Sequence, residues 1–151
     1  MTKHDIMINF VKQQALLSKC TDVKTAAVLV SADMTQIYSI GINGGPKGGL
    51  NCMCADIEVS PKAKYTCVHA EMNCLVKNRV VDDKPKILIC TKQPCAMCAS
   101  LIVNSDTNII EVWYLEEYWD NTGIDILKTA GIFTDKIVER AEGKYVFGGK
   151  R

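Results

Sequence analysis

Almost no net charge and no long apolar run characterise this sequence of 151 residues. Its 18 basic and 17 acidic residues leave a net charge of +1, so the basic excess that is typical of proteins that bind long nucleic acids is missing. No apolar run approaches the ~20 residues that a membrane-spanning helix requires. We therefore expect no nucleic acid and no membrane as a partner, and the composition favours a small-molecule ligand.

The start of the sequence does not resemble a secretory signal either. The first thirty residues begin with Lys3, His4 and Asp5 and continue with an amphipathic pattern instead of an apolar core. Eight cysteines would indicate disulfides in a small secreted chain, but without a signal metal binding is the better interpretation. We expect a reducing, cytoplasmic location.

The order of the apolar patterns predicts one α/β domain over residues 1–151. A first helix is predicted from Thr2 or Asp5, the candidate caps, to about Ser18. Further helices are predicted at 69–77, from Pro94 onward and at 124–130, and strands at 25–30, 36–42, 86–91, 109–115 and 135–140. The first two strands should pair antiparallel, whereas a helical crossover between the third and the fourth implies parallel neighbours.

The residue types of a zinc site occur between positions 69 and 98. His69, Cys95 and Cys98 supply three ligands, which leaves one tetrahedral position open for water, as in catalytic zinc sites. Glu71 follows His69 by two residues and is placed to move the protons of that water without binding the metal. The helix after Pro94 would place Cys95 and Cys98 one turn apart, and the positive end of this helix favours thiolates over thiols.

A structural zinc site is the alternative. Such sites close all four positions with protein ligands, and Cys67 or Cys74 is near enough to His69 in the sequence to complete the set. Glu71, however, stands where proton transfer requires a carboxylate, and it favours catalysis. The combination of H-x-E with a distant P-C-x-x-C is typical of zinc-dependent nucleobase deaminases.

Two longer segments resemble one family in that group. The run 64–73 (KYTCVHAEMN) and the loop 41–48 (GINGGPKG) are similar to the corresponding segments of deoxycytidylate (dCMP) deaminases, and matching segments cover about 18–131. The resemblance implies a three-layer α/β/α cytidine deaminase-like fold, in which a mixed central sheet of about five strands carries helices on both faces. It also implies zinc-dependent hydrolysis of dCMP to dUMP and ammonia, which supplies thymidylate synthesis. The chain is similar to the short viral type, and a viral source would place it in the host cytoplasm.

The resemblance also implies roles for single residues. It assigns contact with the substrate sugar to Asn43, and further substrate contacts to Ala70 and Tyr118. Regulated members bind a triphosphate on the glycine-rich loop, with dCTP as activator, dTTP as inhibitor and Mg²⁺ accompanying the triphosphate. The matching positions here are Gly44, Pro46 and Gly48. Gln93 departs from the Ser that often stands at its position in the family, which affects the expected geometry of the base pocket.

A second zinc is implied by resemblance to some viral dCMP deaminases. The four cysteines concerned are Cys20, Cys52, Cys54 and Cys67, and four thiolates could close a structural site of this kind. The alternative is that some of these residues are plain thiols, which behave as small apolar side chains. The family further implies a homo-oligomer, commonly a hexamer.

Three other functions stay open at this point. The enzyme could accept both dCMP and dCTP, or it could deaminate a base in RNA or DNA, a free base or a nucleoside. A zinc-binding interaction module without turnover is the third possibility. The near-neutral charge and the loop with Asn43 favour dCMP.

Overall fold

The computed structural model describes residues 1–49 and 67–148. Within these ranges the chain forms four helices and six strands. In chain order they are α1 (Lys3–Ala15), β1 (Ala26–Ser31), β2 (Ile37–Ile42), α2 (Ala70–Lys77), β3 (Lys86–Lys92), α3 (Ala96–Asn104), β4 (Ile109–Glu116), α4 (Thr122–Thr129), β5 (Phe133–Ala141) and β6 (Lys144–Phe147).

The strands form one mixed sheet in the order β2-β1-β3-β4-β5-β6. β1 is antiparallel to β2 and to β3, the pairs β3–β4 and β4–β5 are parallel, and β5–β6 is antiparallel. The antiparallel first pair and the parallel neighbours are therefore confirmed. The sheet has six strands where about five were expected, because β6 escaped prediction. This strand is only four residues long and follows a tight turn at Gly143, whose φ is +69°.

Helices cover both faces of the sheet, which confirms the three-layer fold. α1 packs on the face to which Val28 and Ile89 point, and α2, α3 and α4 pack on the face of Leu29 and Leu88. Every residue of β1 is buried, because a strand covered on both faces has no solvent side. Each fully buried Val, Leu or Ile side chain here contributes ~1.5–3 kcal/mol to folding.

A capping box begins α1 and also holds the edge strand. Asp5 N–H donates to Thr2 Oγ1 (3.1 Å), and Thr2 N–H donates to Asp5 Oδ2 (2.7 Å). The second carboxylate oxygen, Oδ1, accepts from Tyr145 N–H of β6 at 2.9 Å. The predicted cap is confirmed, with Thr2 as N-cap. The helix ends at Ala15, earlier than the predicted Ser18.

Three strands place their carboxyl ends at one edge of the sheet. β2 and β3 run in the same direction because both are antiparallel to β1, and β4 is parallel to β3. Ligands of open α/β sheets bind at such an edge. Asn43 follows β2 there, Gln93 follows β3, and Tyr118 lies two residues after β4. Among the helices of the described ranges, none has the length and apolar character to span a membrane.

Candidate active site

His69 is fixed at the start of α2. It is the N-cap residue and has an extended backbone (φ −69°, ψ 154°). Directly before it, Gly44 N–H donates to the Val68 carbonyl (3.1 Å), and Val68 N–H donates to the Gly44 carbonyl. This bridge fixes the entry into the helix, whose first turn carries Glu71. The predicted helix at 69–77 is confirmed.

Cys95 and Cys98 lie at the start of α3, directly after β3. Cys95 is the N-cap residue (φ −72°, ψ 171°), and Cys98 lies in the first turn. The prediction that Pro94 occupies the first helical turn was wrong, because the extended backbone of Cys95 delays the helix to Ala96. The two cysteines still lie on one helical turn, as the sequence predicted.

These three residues meet in space. Cys95 Sγ lies 3.5 Å from His69 Nδ1, and Cys98 Sγ lies 3.3 Å from the same nitrogen. All three ligand atoms lie within 4.8 Å of one another. Tetrahedral zinc with ordinary Zn–S and Zn–N bonds would hold a sulfur and a nitrogen about 3.6 Å apart. The donor set therefore fits a zinc ion in chemistry and in size.

The charge of the two thiols also suits a divalent cation. Hydrogen bonds from Cys98 and from His69 lower the pKa of the Cys95 thiol to about 4. The hydrogen bond to Cys95, together with burial, raises the pKa of Cys98. Without metal the pair thus holds one proton and one negative charge, and a zinc ion would displace that proton.

A closed, structural site does not form from the described residues. His69, Cys95 and Cys98 are the one group of three or more metal-ligating side chains in the described ranges. Cys74 is fully buried in the core, where its Sγ lies 3.2 Å from Ser39 Oγ. Cys67 lines the same cavity as His69 but lies outside the group of ligand atoms. This arrangement favours the open, catalytic type of site.

Glu71 faces the same space. Its side chain is 7% exposed, and burial raises the pKa of its carboxyl above the ordinary value. Burial does so because removal of water penalises the charged form. A carboxyl whose pKa moves toward neutral pH can take up and release a proton in one reaction cycle.

A cavity of about 410 Å³ opens over these groups. Glu71, His69 and Cys95 line it, and so do the predicted substrate contacts Asn43 and Tyr118. Ala70, the third predicted contact, is 1% exposed and does not line the cavity. The remaining lining residues are Cys20, Asp22, Val23, Thr25, Cys67, Lys92 and Gln93.

The fold and this site agree with a known family. A family model described as the cytidine and deoxycytidylate deaminase zinc-binding region matches residues 1–115, which is most of the chain. The chain belongs to this deaminase family.

Individual proteins and solved structures are also similar to this chain. A Caenorhabditis elegans protein described as a probable deoxycytidylate deaminase is 29% identical over 119 residues, 77% of this chain and 58% of that protein. The chain therefore spans less than two thirds of the length of this relative. The dCMP deaminase of cyanophage S-TIM5, whose crystal structure contains dCMP and dUMP, superposes with a TM-score of 0.75 at 29% identity, covering 88% of this chain and 95% of that chain. The fold is also shared by a more distant protein of Thermotoga maritima, a diaminohydroxyphosphoribosylaminopyrimidine deaminase/5-amino-6-(5-phosphoribosylamino)uracil reductase. It superposes with a TM-score of 0.58 at 20% identity, covering 88% of this chain and 37% of that chain.

The side chain of Asn43 is fixed in the wall of the cavity by hydrogen bonds. Its Oδ1 accepts from Thr25 N–H (2.8 Å) and from Ser18 Oγ (2.7 Å), and its Nδ2 donates to the Val23 carbonyl (2.7 Å). One hydrogen of Nδ2 is left by these bonds. The side chain thus fixes the segment 18–25, and contact with a sugar stays a prediction for it.

Gln93 was not predicted to have a positive role, yet it is 3% exposed and holds the loop after β4. Its Oε1 accepts from Tyr118 N–H (3.3 Å), and its Nε2 donates to the Asp120 carbonyl (3.2 Å) and to Asn121 Oδ1 (3.2 Å). The one sequence feature that could have indicated this role is that Gln93 replaces the Ser that is frequent at this position in the family. The longer amide reaches the loop and positions Tyr118.

The glycine-rich loop lies beside the site. Pro46 and Gly48 are exposed, and Gly49 N–H donates to the Pro46 carbonyl (3.0 Å) across a turn in which Gly48 has a φ of +80°. Such a turn favours glycine at that position. Gly44 is bound to Val68, as described above. Effector binding at Gly44, Pro46 and Gly48 stays a prediction.

The second predicted metal site can be placed only in part. Cys20 and Cys67 both line the cavity. Cys52 and Cys54 lie outside the described residues. A structural zinc held by these four residues therefore stays a prediction.

Proposed function

We propose that this deaminase hydrolyses the cytosine amine of dCMP and releases dUMP and ammonia. The observation that carries the proposal is that His69, Cys95 and Cys98 meet as one ligand group and that His69 and Cys95 line one cavity together with the buried Glu71. Support for dCMP as the substrate comes from the similarity to the cyanophage S-TIM5 enzyme, whose structure contains dCMP and dUMP.

The proposed metal site assigns a tautomer to His69. Its Nδ1 is the atom near both sulfurs, so Nδ1 would hold the metal, and Nε2 would then carry the hydrogen of a neutral imidazole. A bound zinc ion would supply an activated water, because the metal lowers the pKa of its water from 15.7 to roughly 7 in favourable sites.

Glu71 moves the protons in this proposal. It accepts a proton from the attacking water and passes it to N3 of cytosine, which makes C4 more electrophilic. After the oxygen has bonded to C4, Glu71 transfers the second proton to the amine, and the C4–N4 bond breaks to release ammonia. Water thus supplies the oxygen of the new carbonyl and both protons, and one carboxylate serves as base and as acid.

Further parts of the function belong to the same proposal. They are activation by dCTP with Mg²⁺ and inhibition by dTTP, a homohexamer, a second zinc, and supply of dUMP for thymidylate synthesis. Turnover of dCTP itself is the second candidate activity, since none of the described residues named above distinguishes the monophosphate of dCMP from the triphosphate of dCTP.

Ammonia release and zinc content, measured together, test the proposal. The panel consists of dCMP, dCTP, deoxycytidine, single-stranded DNA that contains cytosine, and tRNA that contains adenosine. Turnover of dCMP with one zinc per chain supports the proposal, and two zincs per chain would add the second site. Activity on an oligonucleotide without activity on dCMP would move the enzyme to the nucleic-acid deaminases. Bound zinc without turnover on any substrate, even with dCTP present, would leave only the zinc-binding module.

A further inference from the structure

The last residue of β3 brings a positive charge into the cavity. Lys92 is half-buried and lines the cavity, and its Nζ lies 5.9 Å from the centre of the Tyr118 ring. Among the described residues that line the cavity, it is the one lysine or arginine. The face of an aromatic ring attracts a cation, so this contact favours a position of the ammonium beside Tyr118, which lines the same cavity.

No carboxylate of the described residues neutralises Lys92. Three other lysines, Lys12, Lys86 and Lys136, lie within 3.0 Å of Glu139, Asp82 and Glu117. Within the described ranges no acidic oxygen lies within the 4.0 Å of an ion pair from Lys92 Nζ. Its charge is therefore available to a ligand.

The rest of the cavity is unfavourable for an anion. Asp22 and Glu71 are its acidic lining residues, and two thiolates would offset the double charge of a bound zinc. A nucleoside monophosphate brings almost two negative charges at neutral pH, since the second pKa of such a phosphate is about 6. A phosphate in this cavity consequently needs a cationic partner, and Lys92 has the charge and the position.

We propose that Lys92 binds the 5′-phosphate of the substrate and selects the nucleotide over the free nucleoside. This inference rests on the proposed deaminase function and adds the residue that recognises the phosphate. An ammonium is a suitable partner because it binds phosphate oxygens as a point charge with three rotatable donors.

A substrate comparison tests the role of Lys92. We expect Lys92→Met to lower kcat/KM for dCMP by about tenfold or more relative to the change for deoxycytidine, chiefly through KM, because only dCMP carries the phosphate. Lys92→Arg, which keeps the positive charge, should restore most of the preference for dCMP over deoxycytidine. Lys77→Met, which removes the same charge from an exposed position at the end of α2, serves as the matched control and should leave the ratio unchanged.

Two results would overturn the inference while deamination stands. An equal loss of kcat/KM on dCMP and on deoxycytidine would mean that Lys92 only shapes the base pocket, and unchanged kcat/KM on both substrates would exclude it from phosphate recognition. If the wild type turns over neither substrate, the proposed function fails, and calorimetric binding to the zinc-loaded protein then decides about Lys92. Loss of dUMP binding in Lys92→Met, without loss of deoxyuridine binding, supports its role; equal binding of dUMP by both proteins, or no binding by the wild type, contradicts it.

Discussion

The backbone of Gly41 lies directly against the carbonyl oxygen of Ala70. A Cβ on Gly41 would overlap this oxygen and would stand 2.9 Å from Cys74 Cα, closer than real side chains approach a backbone. The strand β2 and the first turn of α2 therefore touch without an intervening side chain. His69 precedes Ala70 and Glu71 follows it, so this contact helps to position the start of α2, where the metal ligand and Glu71 lie.

Gly41→Ala should consequently disturb both stability and metal binding. We expect a loss of roughly 1–3 kcal/mol or more in the free energy of unfolding, as for other overpacked cores, and a lower zinc content. Gly44→Ala is the matched control, because a Cβ at that position meets nothing within 4 Å. Denaturant unfolding and metal analysis measure the two effects. Equal stability of both variants would contradict the close contact.

Gln93→Ala should lower turnover without loss of zinc. The variant removes the three hydrogen bonds that hold the loop 118–121, so Tyr118 loses its fixed position. We expect kcat/KM to fall by about tenfold or more, which corresponds to a loss of ~1.4 kcal/mol in interaction free energy between Tyr118 and the substrate. Gln93→Glu tests the amide specifically, because a carboxylate cannot donate to the Asp120 carbonyl. Full activity of both variants would show that the loop is held by other contacts.

Glu71→Ala should retain zinc and lose turnover. General acid–base catalysis contributes ~10²–10⁴-fold, so the rate should fall at least by that factor. Glu142→Ala, at an exposed turn, is the control for loss of one carboxylate. Rates from ammonia release and zinc content from metal analysis are compared for the three proteins. Near-full activity of Glu71→Ala would refute the proposed proton transfer.

Cys98→Ala should lose the metal. Only His69 and Cys95 would stay in the ligand group, and two ligands hold zinc poorly. Cys90→Ala is a strict control, because Cys90 is a buried cysteine outside this group. Zinc content after dialysis should fall toward zero in the first variant and stay at the wild-type value in the second. Zinc retention by Cys98→Ala would point to another ligand in the chain.

Stability should decline at alkaline pH through a core thiol. Burial raises the pKa of Cys74 to about 11 from an ordinary value of 9.0. Between these two values the unfolded chain releases the proton while the folded chain keeps it, so the free energy of unfolding falls as the pH rises above 9. The contribution is fully present below pH 9, and its loss by pH 10 is roughly 1 kcal/mol.

Denaturant unfolding of the wild type and of Cys74→Ala over this pH range isolates the contribution. Other groups titrate in both proteins, so the difference between their slopes belongs to Cys74. We expect the shallower slope in Cys74→Ala. Parallel curves would show that this thiol titrates alike in the folded and the unfolded chain.

The sequence predicted those features that depend on local pattern. The buried run of β1, the three-residue spacing of Cys95 and Cys98, and the short interval between His69 and Glu71 all follow from neighbouring residues. Such patterns determine which element forms and which side chains share a turn. The core of the site was predictable for this reason.

Features that depend on distant partners were not predictable. β6 is short and carries little pattern of its own, and it is held by Asp5 from the other end of the chain. The bonds of Gln93 join positions 25 to 28 residues apart in sequence. The start of α3 was mispredicted at Pro94 for a different reason. The extended backbone of one residue, Cys95, determines that the helix begins at Ala96.

The carboxylate of Asp5 serves two processes that occur at different times during synthesis. Its Oδ2 accepts from Thr2, three residues away, so this half of the contact is available as soon as α1 emerges from the ribosome. Its Oδ1 accepts from Tyr145, 140 residues later in the chain. The start of α1 can therefore form early and locally, whereas the attachment of β6 to that helix waits until almost the whole described chain has been made.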